Sequence, residues 1–393
     1  MFRKSLLAAA VLLPAILASC GGKKAPGVEA PQGRDFIREA RYLHHFLVAV
    51  SNEAPAGVSP AEYAKHRDYM ESQRQRFRSE YNDKIGPFMR SIRPSGDTKT
   101  VVYPFGGSDL AVAIACFPLA EEIVTISLES AGDPRRLPLT NAATLRTALA
   151  TVRKYLGTYY TEHDNSYDNV WGMENGVLPA QLTFSLGEAA IFGMAPVSLR
   201  FFRVESNGTF HYYDDAEIAS MEKTKGVKIH GGWFNPKCSH AFLNMEVRFL
   251  RPDGRPFVHR HISANLENSF YSNSGLEKYL LGLGKVDVMT KGASYLPWRS
   301  DFSAISRYML GAGDFMCADA TGILPWHAER AGSRVSVYGS FLAAYIGTND
   351  SIGKSNSLAL RKYFKEKATG QVPVRFGYGD RGGEKHMIVY RPK

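Results

Sequence analysis

The segment YPFGGSD, residues 103–109, sets two adjacent glycines, Gly106 and Gly107, just ahead of a carboxylate, Asp109. A second carboxylate, Glu129, follows about 20 residues later. Glycines permit a tight turn and a close approach of backbone to ligand. Carboxylates accept hydrogen bonds from hydroxyls. Farther along, Lys291, Ser294, Asp301, Asp319, Thr321 and His327 fall in segments that read as turns, where binding and catalytic groups gather. Asp109, Glu129, Asp319 and His327 are therefore the candidate catalytic groups, and Gly106, Gly107 and Glu129 the candidate cofactor-binding ones. No G-x-S-x-G elbow surrounds Ser294 and no S-x-x-K pattern stands there, so no nucleophile is specified. His259 and His261 alternate along one stretch and project from one face. With His240 or His230 they would make three metal ligands, but the expectation is two polar positions on a solvent-facing strand and no metal. His44 and His45 are adjacent, point in different directions on a helix, and are not a ligand pair.

The elements that must position these groups follow from the pattern. Val101 to Phe105 reads as a strand, Gly106-Gly107 as a turn, and Leu110 to Phe117 as a helix capped by Ser108 or Asp109 and stopped by Pro118. Ile123 to Leu128 reads as a second strand, which gives β-α-β with Glu129 at its carboxyl end. Val102, Phe105, Ile114, Val124, Ile126 and Leu128 are expected to be buried in one parallel layer. In dinucleotide-binding and methyltransferase folds an acidic residue placed like Glu129 holds the ribose hydroxyls. The glycine pattern argues against use: GGSDLA lacks the third small residue, and Asp109 would oppose a phosphate at the helix start. The expectation is a site by shape that binds no nucleotide and needs no cofactor; a ligand there would be a neutral polyol or sugar.

Around this unit, residues 34–95 read as a helical region, with Ser59 as N-cap, Pro60 at the first helical position and Glu62 completing the cap. A further helix starts at Thr140 or Asn141 and ends near Gly157. Another runs to about Gly193, ahead of a strand from Val197. Asn207-Gly208 and Pro252-Asp253-Gly254 are hairpin turns. The expected fold class is α/β: a Rossmann-like parallel βαβ layer with N-terminal helices and additional antiparallel β-hairpins. The body spans 96–393, and its C-terminal part is rich in hairpins.

The chain opens MFRKSLLAAAVLLPAILASCGG. Arg3 and Lys4 precede an apolar run, Leu6 to Ile16, too short to span a bilayer, so residues 1–19 read as an export signal. Its end, Leu17-Ala18-Ser19-Cys20, resembles the lipobox of bacterial lipoproteins. The resemblance implies cleavage before Cys20, a diacylglycerol thioether on its sulfur and an acyl chain, such as palmitate, on the new amino group. Gly21 in place of Asp implies the outer-membrane form. Residues 20–33, rich in Gly and Pro, read as a flexible tether.

The implied location is the bacterial cell envelope, where NAD and S-adenosylmethionine are not supplied. The segments YPFGGSDL…FP…LE and KGASYL…DFS…D.TGI, with dots for unspecified residues, are similar to a family of large exported bacterial proteins with no assigned activity, over residues 100–345. Partners implied are the membrane through its lipid anchor and another envelope protein or a glycan, not nucleic acid. The specific expectation is a binding or structural module; the alternative is an envelope hydrolase or transferase with a site near Gly106–Asp109 and Asp319–His327.

Composition fits a globular chain: 44% of residues are hydrophobic and the formal net charge is +10. Residues 353–393 hold ten Lys or Arg against three acids, a basic end that could meet lipid headgroups, lipopolysaccharide or an acidic glycan. Beyond Cys20, the thiols Cys116, Cys238 and Cys317 allow at most one disulfide; Cys116 reads as a buried small hydrophobe, Cys238 with Cys317 is the pair if any forms, and the fold is not expected to depend on it.

Overall fold

The computed structural model describes residues 33–93, 98–135, 137, 141–157, 170, 172–173, 178–223, 239–293, 295–343, 346, 351–377 and 385–392. Cys20, the signal segment, the tether to residue 32, His230, Cys238 and Ser294 lie outside the described residues. The chain divides into a first unit, Met1–Pro31, and a second, Gln32–Lys393, which holds everything below.

The first helices are α1 (Ile37–Tyr42), α2 (Pro60–Phe77) and α3 (Asp83–Ile92). Ser59 accepts a hydrogen bond from the Glu62 N–H and Pro60 starts α2, because a proline costs nothing where the helix has no N–H partner to lose. Next come β1 (Thr100–Pro104), α4 (Leu110–Cys116), β2 (Glu122–Ser127) and α5 (Ala142–Tyr155), the last capped by Asn141. Then follow α6 (Ala180–Ile191), β3 (Ala195–Val204), β4 (Phe210–Tyr212) and α7 (Asp215–Glu222). The hairpin β5 (Asn244–Leu250) and β6 (Pro256–Ser263) leads to α8 (Asn268–Tyr271) and α9 (Gly275–Gly282). The chain finishes with β7 (Val286–Thr290), α10 (Ser303–Ala312), β8 (Gly313–Ala318), α11 (Pro325–Arg330), β9 (Arg334–Gly339), α12 (Ser351–Lys367) and β10 (His386–Arg391).

All ten strands form one sheet in the order β4-β3-β5-β6-β2-β1-β7-β8-β10-β9. The middle five, β6-β2-β1-β7-β8, are parallel. Antiparallel strands extend both sides: β5, β3 and β4 beyond β6, and β10 and β9 beyond β8. The protein is thus mixed α/β. The central strands are covered on both faces, as strands with few polar positions require. One layer joins Val101, Tyr103, Ile123 and Cys317 to α1 to α6. The other joins Val102, Val124, Ile126 and Val288 to α9, α10 and α12.

Several expectations are corrected here. Ile114 is buried but lies in the layer opposite Val102, Val124 and Ile126, because α4 covers only one face. Phe105 and Leu128 are half-buried, since β1 and β2 end before them. His259 and His261 are not on a solvent-facing strand: β6 is interior to the sheet, and both side chains are buried, His259 against Ser185 of α6. Cys317 is a buried free thiol and so is not paired with Cys238, whereas Cys116 is buried and free as its apolar surroundings predict.

Candidate functional site

β1, β7 and β8 run parallel, so the loops leaving them meet at one edge of the sheet. The chain leaves β1 for β2 on one side and returns as β7 on the other. Such a reversal opens a crevice at the carboxyl ends of the strands. Into this edge the sequence delivers Phe105 to Asp109 after β1, Lys291 and Gly292 after β7, and Asp319 to Thr321 after β8.

The turn after β1 is filled from within. The Gly106 N–H donates to the Tyr103 carbonyl at 3.1 Å. The Tyr103 ring lies so close over Gly106 that an added Cβ would sit 2.5 Å from its Cγ. The Tyr103 hydroxyl donates to Asp109 Oδ2 at 2.9 Å, and Lys291 Nζ reaches the same oxygen at 3.2 Å. Asp109 occupies the position before α4, yet its side chain caps no N–H of the helix, contrary to the sequence expectation. That role falls to Glu188 of α6, whose Oε2 accepts from the Ala111 N–H at 3.0 Å. Phe105 has φ +64°, an uncommon conformation for a bulky side chain, and its ring packs edge-on to Phe302 at 5.6 Å.

Burial pushes the Glu188 carboxyl up to about 8, with the neighbouring Asp109 charge adding to the rise; the Ala111 and Leu110 N–H groups and Lys291 oppose it. Glu188 was missed by reading the sequence. The signal for it is a lone carboxylate inside the apolar run QLTFSLGEAAIF.

Asp319 is fully buried. Its Oδ1 accepts from the Thr321 N–H at 2.9 Å and the Thr321 hydroxyl at 2.5 Å, and its Oδ2 accepts from the Gly292 N–H at 3.2 Å. Lys291 and Gly292 therefore join the Asp109 and Asp319 segments through one connection. Asp301 lies on the same β7–α10 connection but is held by Arg299. His327 sits in α11 rather than in a turn. It is exposed, and the desolvation of its ring together with Arg330 holds its pKa below the usual value. It makes no hydrogen bond or ion pair with Asp319 among the described residues.

Glu129 lies two residues past the end of β2 and is buried, with Oε2 unpartnered among the described residues. Burial raises its pKa. Its carbonyl, which can only accept, fixes the direction of a buried relay. His261 Nε2 donates to the Glu129 carbonyl at 2.7 Å, so His261 Nδ1 must accept from Thr125 Oγ1 at 3.1 Å. His259 Nε2 then donates to Thr125 Oγ1 at 2.9 Å, and His259 Nδ1 accepts from the Ser185 hydroxyl at 2.7 Å. The Ser185–His259 pair has the spacing of a nucleophile and base, but both side chains are buried and reach no substrate. Burial lowers the His259 and His261 pKa values to about 3 and about 4, so both rings are neutral and the relay is self-consistent. Among the described residues no group of three or more His, Cys, Asp or Glu is placed to hold a metal ion.

The molecule so defined is a mixed α/β protein with a self-filled crevice at the edge of its parallel strands. Comparison of the chain with protein-family models, curated proteins and solved structures yields no match.

Proposed function

We propose that this chain is a lipid-anchored protein of the bacterial cell envelope, at the outer membrane, whose Rossmann-like scaffold serves as a binding or structural module and not as a nucleotide-dependent enzyme. Counted along the chain, the parallel strands stand in the order 3-2-1-4-5, which supports the Rossmann-like reading. One observation carries the functional part: the backbone N–H at the start of α4, where such a scaffold receives a phosphate, is already occupied by the Glu188 carboxyl. Tyr103 covers Gly106 and Lys291 neutralises Asp109, which agrees with the same reading. The partner is another envelope protein or a glycan, and no cofactor enters.

A second reading, an envelope hydrolase or transferase near Gly106–Asp109 and Asp319–His327, draws on the convergence of Asp109, Lys291 and Asp319. It requires Asp109 to leave both Tyr103 and Lys291 before it could act on a substrate.

Thermal unfolding of the purified protein with NAD, S-adenosylmethionine and a panel of glycans tests the proposal. A ligand at 100 times its Kd adds about 2.7 kcal/mol, a shift of a few degrees in a chain of this size. Neither nucleotide is expected to shift the midpoint. Stabilisation by either one that vanishes in Glu129→Ala would overturn the proposal and favour the enzyme.

A further inference from the structure

The helix α12 buries Gly353, Ser357, Leu360 and Phe364 and turns its other face to solvent. On that outer face Leu358 is 63% exposed, and Lys354 and Lys362 flank it one turn away on either side, with Lys365 a turn beyond. The segment 341–343 runs along the same helix: Phe341 packs on Phe364, and Arg361 Nε donates to the Ala343 carbonyl at 2.9 Å. Between them Leu342 is 69% exposed. The only acid in α12, Glu366, is paired with Lys362 at 4.0 Å.

We infer that this face of α12, with Leu342 and Leu358 set among Lys354, Lys362 and Lys365, is a docking surface for anionic phospholipid headgroups of the membrane to which the chain is tethered. Charge complementarity selects the occupant. A cluster of lysines with little opposing charge is attracted to an anionic surface, about fivefold in affinity per residue. Their apolar stems and the two leucines enter the headgroup boundary while the ammonium groups stay in the polar layer. A soluble protein partner would be expected to cover a broader apolar face than two leucines. Such a patch is weak alone, and it acts when an anchor keeps the surface close. In that respect the inference rests on the lipid-anchor reading, although the patch itself does not.

The test uses the full chain with Leu358→Cys carrying an environment-sensitive nitrobenzoxadiazole probe; an identically treated chain without the substitution gives the background from other thiols. The chain is mixed with vesicles of phosphatidylcholine alone or with added phosphatidylglycerol. With the anionic vesicles the probe emission should shift to the blue and brighten. Replacing Lys354, Lys362 and Lys365 by Glu should weaken that response on the order of a hundredfold, and high salt should abolish it. A probe that stays aqueous on anionic vesicles overturns the inference, even if the protein pellets with both kinds of vesicle, an outcome that keeps the anchor. A chain that ignores neutral vesicles but shows the shift on anionic ones removes the anchor and keeps the patch.

Discussion

Glu188 fills the start of α4 from within the protein, its carboxyl taking the Ala111 N–H. A carboxyl this deep in the protein favours its protonated form, and an acid can satisfy the Ala111 N–H without presenting a full charge to Asp109. The stability consequence has a definite sign. The folded-state value, about 8, lies above the ordinary carboxyl value, so the folded protein holds a proton that the unfolded chain has released. The contribution of Glu188 is fully present below about pH 4.5 and is lost as pH rises toward 8. Glu188→Gln keeps an oxygen acceptor and removes the charge. It should therefore stabilise the fold at pH 9, by an amount on the order of 5 kcal/mol at most and read as a raised thermal midpoint, and change little at pH 5. The acid side belongs to other groups. His259 and His261 are buried neutral, so their contribution is present above pH 6.5 and lost as pH falls toward about 3 and about 4 respectively. A Glu188→Gln protein that loses stability equally at pH 5 and pH 9 would show that the carboxyl carries its charge in the fold.

At the scale of elements, the β1–α4 connection works as a closed latch: Tyr103 folds over Gly106, its hydroxyl holds Asp109, and Lys291 brings in the strand on the other side. Gly106→Ala would force the Tyr103 ring away, and overpacking of this kind costs about 1–3 kcal/mol. In a Tyr103→Ala background the same substitution should cost much less, so denaturant unfolding of the four proteins of this cycle should give a coupling well outside additivity. Additive costs would mean that the ring does not seal the turn. The strand, turn, helix and strand of this unit were legible because short apolar runs, paired glycines and Pro118 mark their limits within the local sequence. Both hairpin turns were legible for the same reason, with Gly208 and Gly254 at φ +90° and +81°. What was not legible depends on neighbours distant in the chain. VHRHIS alternates as a half-exposed strand would, but β2 and α6 enclose it, and no local signal tells that Thr125 and Ser185 will meet its histidines. The sequence offers Ser108 or Asp109 as the cap because a cap is a local event; Lys291, which pairs with Asp109, arrives from another strand.

On the scale of the whole molecule, the proposed envelope location requires that a basic α/β body be held at a surface. No helix among the described residues is long and apolar enough to cross a bilayer. The proposed attachment is the acylated Cys20, joined by the tether of residues 20–33 to the unit that begins at Gln32. Two kinds of membrane contact then differ in strength. Several acyl chains on one residue anchor stably, whereas a patch of lysines and two leucines binds weakly and is screened by salt. Cys20→Ser removes the sulfur to which the diacylglycerol is attached, and the apolar run Leu6 to Ile16 that it leaves uncleaved is too short to replace an anchor by spanning the bilayer. In cell fractionation the variant should leave the membrane pellet, and any residue held by α12 should be released by a wash in about 0.5 M salt, where charges on the surface are largely screened. The wild-type protein should withstand the same wash. If Cys20→Ser pellets with membranes as completely as wild type after the salt wash, the lipobox reading fails, and the body must be retained by a contact that neither the anchor nor the basic helix provides.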